Sequence, residues 1–514
     1  MMDLSTTALM AGGIGLVVSA IVARDVFQKK HAIIHNYPII GHLRYLLERV
    51  GPELRQYIVT NNDEELPFSR DQRRWIYASS KQENNLFGFG TDNEVERVDN
   101  YLILKQATFP YAGASFPGPL FNIPCAKIVG GPRGRTRAFR PNSIVNLSAM
   151  SFGSLSASAV EALNRGSAIA GSLHNTGEGG IASHHDHGGG LIWQIGTGYF
   201  GCRDAQGNFD LAMLKERVAR YDVRMLEIKL SQGAKPGKGG VLPGAKVTPE
   251  IAAIRGVPVG QTVLSPAAHT QFSDANGLLD FVELLAAETG LPVGIKTAVG
   301  QLEFFEELAD LMVSGERGVD YIQIDGGEGG TGAAPLVFSD HVSLPWKLAF
   351  TRVYRIFCER GIQQNVVWIG SGKLGLPPDA MLALALGCDM LAVAREAMLS
   401  IGCIQAQKCH TGHCPAGVAT QNPWLMRGLD PTHKANRYAN YIAMFRYELL
   451  SLSHALGEAH PGLVGLDKFE ILDGQFGSRL ARDVFAYEPG WGAVSPEQRE
   501  AVLAARAVSE VAVH

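Results

Sequence analysis

The chain predicts an α/β fold, a (β/α)8 TIM barrel. From about residue 143, short apolar runs alternate with helical patterns eight times over about 250 residues. Glycine clusters fall at the ends of those runs, where a barrel of this type carries its functional loops. A doubly wound open sheet is the alternative arrangement of the same elements.

The strands expected are Ile144–Ala149, Ser172–Asn175, Leu191–Ile195, Arg224–Leu230, Pro292–Thr297, Tyr321–Asp325, Val366–Ile369 and Met390–Ala394. Each is a short run rich in apolar and β-branched residues, bounded by turn formers. Helical periodicity is expected between them at Ser156–Ala170, Asp210–Tyr221, Leu278–Thr289, Leu302–Val313, Trp346–Gly361 and Pro378–Leu386. Around this core the division reads as 1–23 a membrane anchor, 24–142 a helical lead-in and 143–400 the barrel. Residues 401–425 form a cysteine loop and 426–514 a C-terminal helical region.

Composition describes a folded protein, with 46% hydrophobic and 19% charged residues. A net charge of −4 gives no electrostatic footprint for nucleic acid. Seven cysteines, an odd number, argue for a reducing compartment over a disulfide framework.

Leu4 to Ala23 carries no charge, and as a helix would reach about 30 Å, the thickness of a bilayer core. Arg24, Lys29 and Lys30 follow it and no basic residue precedes it, which would place the remaining chain in the cytoplasm. A single-pass anchor in the cytoplasmic membrane is therefore expected, against a cleaved signal peptide ending near Ala23 or a buried helix. Ala11, Gly15, Ser19 and Ala23 form a small-residue ridge through which such an anchor would form a homo-oligomer.

The strand ends carry the candidate site. The first runs into Met150, Ser151, Phe152 and Gly153, and the second into Glu178. The fourth runs into Gln232 and Lys235, and the fifth ends on Lys296. The sixth gives Asp325, Gly326, Gly327 and Glu328, then Gly329, Gly330, Thr331 and Gly332. Gly327 to Gly332 matches GxGxxG, but Ala-Ala-Pro follows instead of a helix, so it reads as a barrel loop. Gly370, Ser371, Gly372 and Lys373 after strand seven, with Ala394 and Arg395 after strand eight, occupy the usual phosphate position of such barrels.

Beyond the last strand, Cys403, Cys409 and Cys414 follow C-x5-C-x4-C and then Pro415. Three thiolates on one loop suit a three-iron cluster. Zinc completed by His410 or His413, and plain buried thiols, are the competing readings. Cys125, Cys202, Cys358 and Cys388 are scattered and read as core residues. A phosphate site, loops open to a planar ring and a neighbouring cluster together suggest FMN. Lys296 would then face the flavin, while Lys235 and Arg255 would supply cations for an anionic substrate.

The segments MSFGSLS, NTGEGG, QGAKPGKGG, GGEGGTGAAP and GCIQAQKCHTGHCPAGVATQ, from about 143 to 421, resemble the synthase domain of glutamate synthases. The whole chain resembles the short, membrane-anchored branch of FMN-binding glutamate synthase family proteins. The resemblance implies FMN flanked by Met150–Gly153 and Gly326–Gly332, with Lys296 at the ring. It implies a three-iron four-sulfur cluster on Cys403, Cys409 and Cys414. It also implies hydride transfer to 2-iminoglutarate, with Glu178, Gln232, Lys235 and Arg255 around the 2-oxo acid. Two departures stand out. GGVLPG, with Val241, replaces the family's GGQLPG, which allows another 2-oxo acid or amine. The chain opens Met-Met-Asp, without the cysteine that begins the family's glutaminase domain, so ammonia is expected from solution or a partner. The electron donor is expected to be external: ferredoxin, a reductase or a quinol. A membrane-bound electron relay without an amino-acid substrate is the reading from another class.

Overall fold

The computed structural model describes residues 4–28, 31–55, 62–112 and 121–511, so Lys29 and Lys30 of the topology argument lie outside the described residues. The chain divides into two units, Met1–Gln72 and Arg73–His514.

The first unit holds helices Leu4–Phe27, Ala32–Asn36 and Ile40–Leu54. Among the described residues no helix is long and apolar enough to cross a membrane. This overturns the anchor, the single-pass membrane localisation and the oligomerisation ridge built on them. Arg24 and Asp25 follow the uncharged run. Asp25 is 1% exposed, accepting the Ile39 N–H at 3.0 Å and pairing with His42 Nε2 at 2.9 Å. The Asp25 carboxylate therefore ties the end of the helix to Ile39 and to helix Ile40–Leu54.

The second unit is built on a closed barrel. Its strands are β1 (Val145–Leu147), β2 (His174–Asn175), β3 (Leu191–Ile195), β4 (Val223–Lys229), β5 (Val293–Thr297), β6 (Tyr321–Asp325), β7 (Val367–Ser371) and β8 (Met390–Val393). Every pair is parallel and neighbours follow chain order, with β8 closing on β1 through Leu391 and Val145. All eight strands overlap the runs expected from sequence, with ends shifted by at most one or two residues. Helices start where polar caps allow. Ser156 Oγ accepts the Ala159 N–H ahead of Ala157–Ala170, Asp210 that of Met213, and Asp274 that of Gly277.

Between β4 and β5 the chain leaves the barrel. There it forms a two-stranded ladder (Val241–Leu242 with Val263–Leu264) and the short helix Pro249–Arg255. Behind the barrel, helix Pro431–Ala455 packs on Ala157–Ala170. The two approach so closely that a Cβ on Gly166 would lie 2.7 Å from Ala435 O. The regions expected to be helical also contribute a three-stranded antiparallel sheet of Asp99–Leu104, Phe469–Asp473 and Ser478–Leu480. These strands are short and mostly half-buried, so their apolar alternation is too weak to separate from a helix pattern.

Buried imidazoles make this unit acid-sensitive. Burial holds His185 at about 3 and His460 at about 4, against 6.5 for a free imidazole. The unfolded chain protonates both below 6.5 while the folded chain does not, so stability falls as pH drops from 6.5 toward 4. The expected slope is up to about 1.4 kcal/mol per pH unit for each histidine. Urea unfolding midpoints at pH 7.5 and 5 measure it. Equal midpoints would contradict it.

Candidate active site

Strand alternation builds the barrel interior in layers. Leu173, Ile192, Met225, Tyr321, Val367, Ile369 and Met390 pack one apolar layer, plugged by Cys125 and Val129. Two residues further along the same strands the interior turns polar: Asn175, Gln194, Glu227, Gln323 and Ser371, all buried. Glu227 is the hub, accepting from Asn175 Nδ2 at 2.8 Å and Gln194 Nε2 at 2.6 Å. Burial pushes its carboxyl upward, with the Lys296 charge pulling the other way. Glu227 Oε2 and Gln323 Nε2 are buried with no partner among the described residues. Lys296 lies 3.6 Å from Asp325, whose Oδ2 also accepts the Gly233 N–H at 2.9 Å.

Above this layer Lys229, the last residue of β4, donates to Glu178 at 2.7 Å and to Gln232 at 2.8 Å. Burial alone would raise the Glu178 carboxyl. Lys229, with Lys235 and Arg255, outweighs burial and holds it below the usual carboxylate range. The excursion between β4 and β5 closes over this network, and a Cβ on Gly240 would lie 2.6 Å from Glu178 Oε1. Arg255, at the end of its short helix, is 5% exposed and donates to Phe152 O at 3.1 Å and Ser151 Oγ at 3.4 Å. Its Nε has no hydrogen-bond partner among the described residues, and burial draws the guanidinium down to about 10 with Glu178 acting the other way. Lys235 is 6% exposed, donates to Ala333 O at 3.3 Å, and is pulled down by burial and by Lys229. Neither Lys235 nor Arg255 lies within 4.0 Å of a carboxylate among the described residues. Two buried cations thus flank one carboxylate already engaged by a third. The pocket carries excess positive charge.

The glycine loops surround this pocket. Met150 to Gly153 turn through a left-handed glycine (Gly153, φ 102), and Gly177 packs directly on Ser151 N. Gly326 and Gly327 lie against Trp346 and Ser343, and Gly329 donates to Gly326 O at 2.9 Å. Thr331 and Gly332 continue the loop toward Ser154. Glu328 has its carboxylate engaged within the protein. Its carboxylate folds back to accept the Trp346 N–H at 2.8 Å, capping helix Trp346–Glu359. Arg395 donates to Glu328 O, and a Cβ on Gly330 would meet its side chain at 2.7 Å. Ser371 Oγ lies 3.5 Å from Ser148 Oγ. Gly370 and Gly372 pack on Trp346, and Lys373 follows with a left-handed φ of 55. Ala394 precedes helix Arg395–Ser400. The loops after β1, β6, β7 and β8 therefore share one end of the barrel.

Cys403, Cys409 and Cys414 are free thiols on the loop after β8. They sense one another: burial pushes Cys403 up to about 12, and the charges of Cys409 and Cys414 push the same way. Tyr77 donates to Cys403 O at 2.8 Å, and Lys246 donates to Cys409 O at 2.7 Å and Ala419 O at 3.3 Å. Among the described residues no three His, Cys, Asp or Glu side chains close into a metal-holding group. Cys125, Cys202, Cys358 and Cys388 are buried singly, as expected.

Three participants escaped the sequence reading. Lys229 and Glu227 lie in a strand noted only for its apolar residues. Yet Met225, Glu227 and Lys229 alternate along one face, and a charged face in a barrel strand is a signal for the pocket. Lys246 gave no local signal, since only the fold brings it to the cysteine loop.

Residues 135–459 match the family described as "Conserved region in glutamate synthase". The chain is 37% identical over 499 residues to the glutamate synthase large subunit-like protein YerD of Bacillus subtilis, covering 90% of this chain and 94% of that protein. It is 35% identical over 317 residues to the archaeal-type glutamate synthase [NADPH] of Thermotoga maritima, covering 61% of this chain and 59% of that enzyme. It is 33% identical to the glutamate synthase [NADPH] large chain of Bacillus subtilis over 325 residues, 20% of that chain. On this evidence the chain belongs to the glutamate synthase family of oxidoreductases.

Proposed function

We propose that the chain makes glutamate from 2-oxoglutarate and ammonia, using FMN at the barrel mouth and a three-iron four-sulfur cluster on Cys403, Cys409 and Cys414. The observation that carries this reading is the cation-rich pocket. Lys235 and Arg255 are buried without a carboxylate partner among the described residues, beside a Glu178 already bound to Lys229. A dicarboxylate supplies the missing negative charge, and an Arg fork suits a carboxylate. Gln232 and Glu178, fixed by Lys229, would orient the reacting carbon and hold protons near the nitrogen.

The residues at the mouth suit FMN. Gln323 Nε2 is a buried donor without a partner, Lys296 is a buried cation at the end of β5, and Lys373 and Arg395 lie where a phosphate is held. Met150–Gly153 and Gly326–Gly332 would flank the ring. Bound there, FMN supplies a hydride donor for an imine carbon. The three thiols suit an iron–sulfur cluster by donor chemistry, and Lys246 adds a cation beside the loop. Electrons would arrive from an external donor such as ferredoxin or a reductase. Val241 sits next to Gly240, which abuts Glu178, and favours the same chemistry on a different 2-oxo acid as the second reading.

Chromophore release and metal analysis test the cofactors. The expected result is FMN with iron and acid-labile sulfide, and zinc without iron would remove the cluster. Cys409→Ser should abolish the paramagnetic signal of the cluster while the flavin stays bound, because serine replaces a thiolate poorly.

A further inference from the structure

The excursion between β4 and β5 meets the cysteine loop at Lys246, the last residue of the tight turn Gly244–Lys246. A lysine in such a turn would ordinarily reach solvent, yet this one is 5% exposed. Its stem runs past Gly412, where an added Cβ would lie 4.0 Å from Lys246 Cε. Its ammonium ends between two carbonyls, donating to Cys409 O at 2.7 Å and to Ala419 O at 3.3 Å. No carboxylate pairs with it among the described residues. Carbonyls satisfy hydrogen bonds but carry no net charge, and burying an ammonium without a counter-ion is costly.

The other contacts to this loop are neutral donors. Tyr77 Oη donates to Cys403 O at 2.8 Å. Gln421 Nε2 donates to Leu155 O at 2.8 Å and to Gly153 O at 3.2 Å, and Ser156 N donates to Val418 O at 2.9 Å. These bonds fix the loop against the turn after β1. Lys246 brings a full charge to it.

We infer that Lys246 is the counter-ion of the cluster assigned to Cys403, Cys409 and Cys414 and raises its reduction potential; the inference rests on that assignment. Three thiolates make the loop anionic when a cluster is held, and gaining one electron adds a further negative charge. A fixed cation beside Cys409 favours the more negative state. Because the ammonium is buried, salt screens this effect little.

The test is a redox titration of the full chain as purified, with dithionite and mediators, following the paramagnetic signal of the cluster. It needs no 2-oxo acid, so it is independent of substrate identity. Lys246→Gln keeps a donor for the carbonyls and removes the charge. It should weaken the cluster's hold on the electron about tenfold, a fall of about 59 mV for one electron. Lys246→Arg keeps the charge and should stay near wild type. Tyr77→Phe removes a bond to the loop without changing charge and should also stay near wild type. Should Lys246→Gln come without its cluster, iron content decides: retention in Lys246→Arg upholds the charge role, and loss in both overturns it. An unshifted potential in Lys246→Gln, or equal falls in Lys246→Gln and Tyr77→Phe, would overturn the inference while leaving the cluster in place. Wild type without iron would instead remove the cluster itself, and this role with it.

Discussion

Lys229→Met is expected to remove two to three orders of magnitude of substrate-dependent turnover while leaving the bound flavin in place. Lys229 and Glu178 are 2.7 Å apart, with side chains only 10% and 17% exposed. Methionine keeps the length and removes the charge. Breaking a buried pair leaves the other ion uncompensated, a cost to stability of about 3–5 kcal/mol, while the expected loss of turnover corresponds to about 3–4 kcal/mol of transition-state stabilisation. The pH profile supplies the sign. In the wild type Glu178 is held below the usual carboxylate range, so activity that needs its anion persists above that value and is lost as pH falls through it. In the variant burial prevails, and the acidic limb moves to higher pH. Adding Glu178→Gln should recover part of any stability lost, since the stranded charge is gone. An unchanged acidic limb would remove Lys229 from the site.

Arg255→Met and Lys235→Ala are each expected to lower substrate-dependent reoxidation about ten- to a hundredfold, the worth of one charge-assisted hydrogen bond. FMN content should stay near wild type, because these cations are assigned to the substrate. Lys296→Ala should behave oppositely. It faces Asp325 at the base of the mouth, and its loss should weaken flavin retention. Equal flavin loss in all three variants would merge the two roles and contradict the division of the pocket.

The barrel was legible because its strands are fully buried apolar runs at regular spacing, a pattern that needs no tertiary information. The glycine loops were legible for a related reason: close backbone approach, as where Gly233 meets Gly326, admits no side chain. What stayed hidden was long-range. Lys246 reaches Cys409 across 163 residues of chain, and no local pattern encodes that contact. Glu328 shared a loop with the glycines, but its carboxylate was claimed by a helix start eighteen residues later. The anchor failed because an uncharged run looks alike whether or not its end is tied to a folded partner. Here Asp25, just past the run, is locked by His42 and the Ile39 N–H.

The most direct measurement of the central claim is anaerobic mixing of the reduced protein with 2-oxoglutarate and ammonia. Rapid reoxidation of the flavin is expected, with glutamate formed in equal amount. Reoxidation by a different 2-oxo acid would move the specificity to the second reading. If the flavin stays reduced with every pair of 2-oxo acid and ammonia yet is oxidised by an artificial acceptor, the glutamate-forming assignment of this pocket is contradicted.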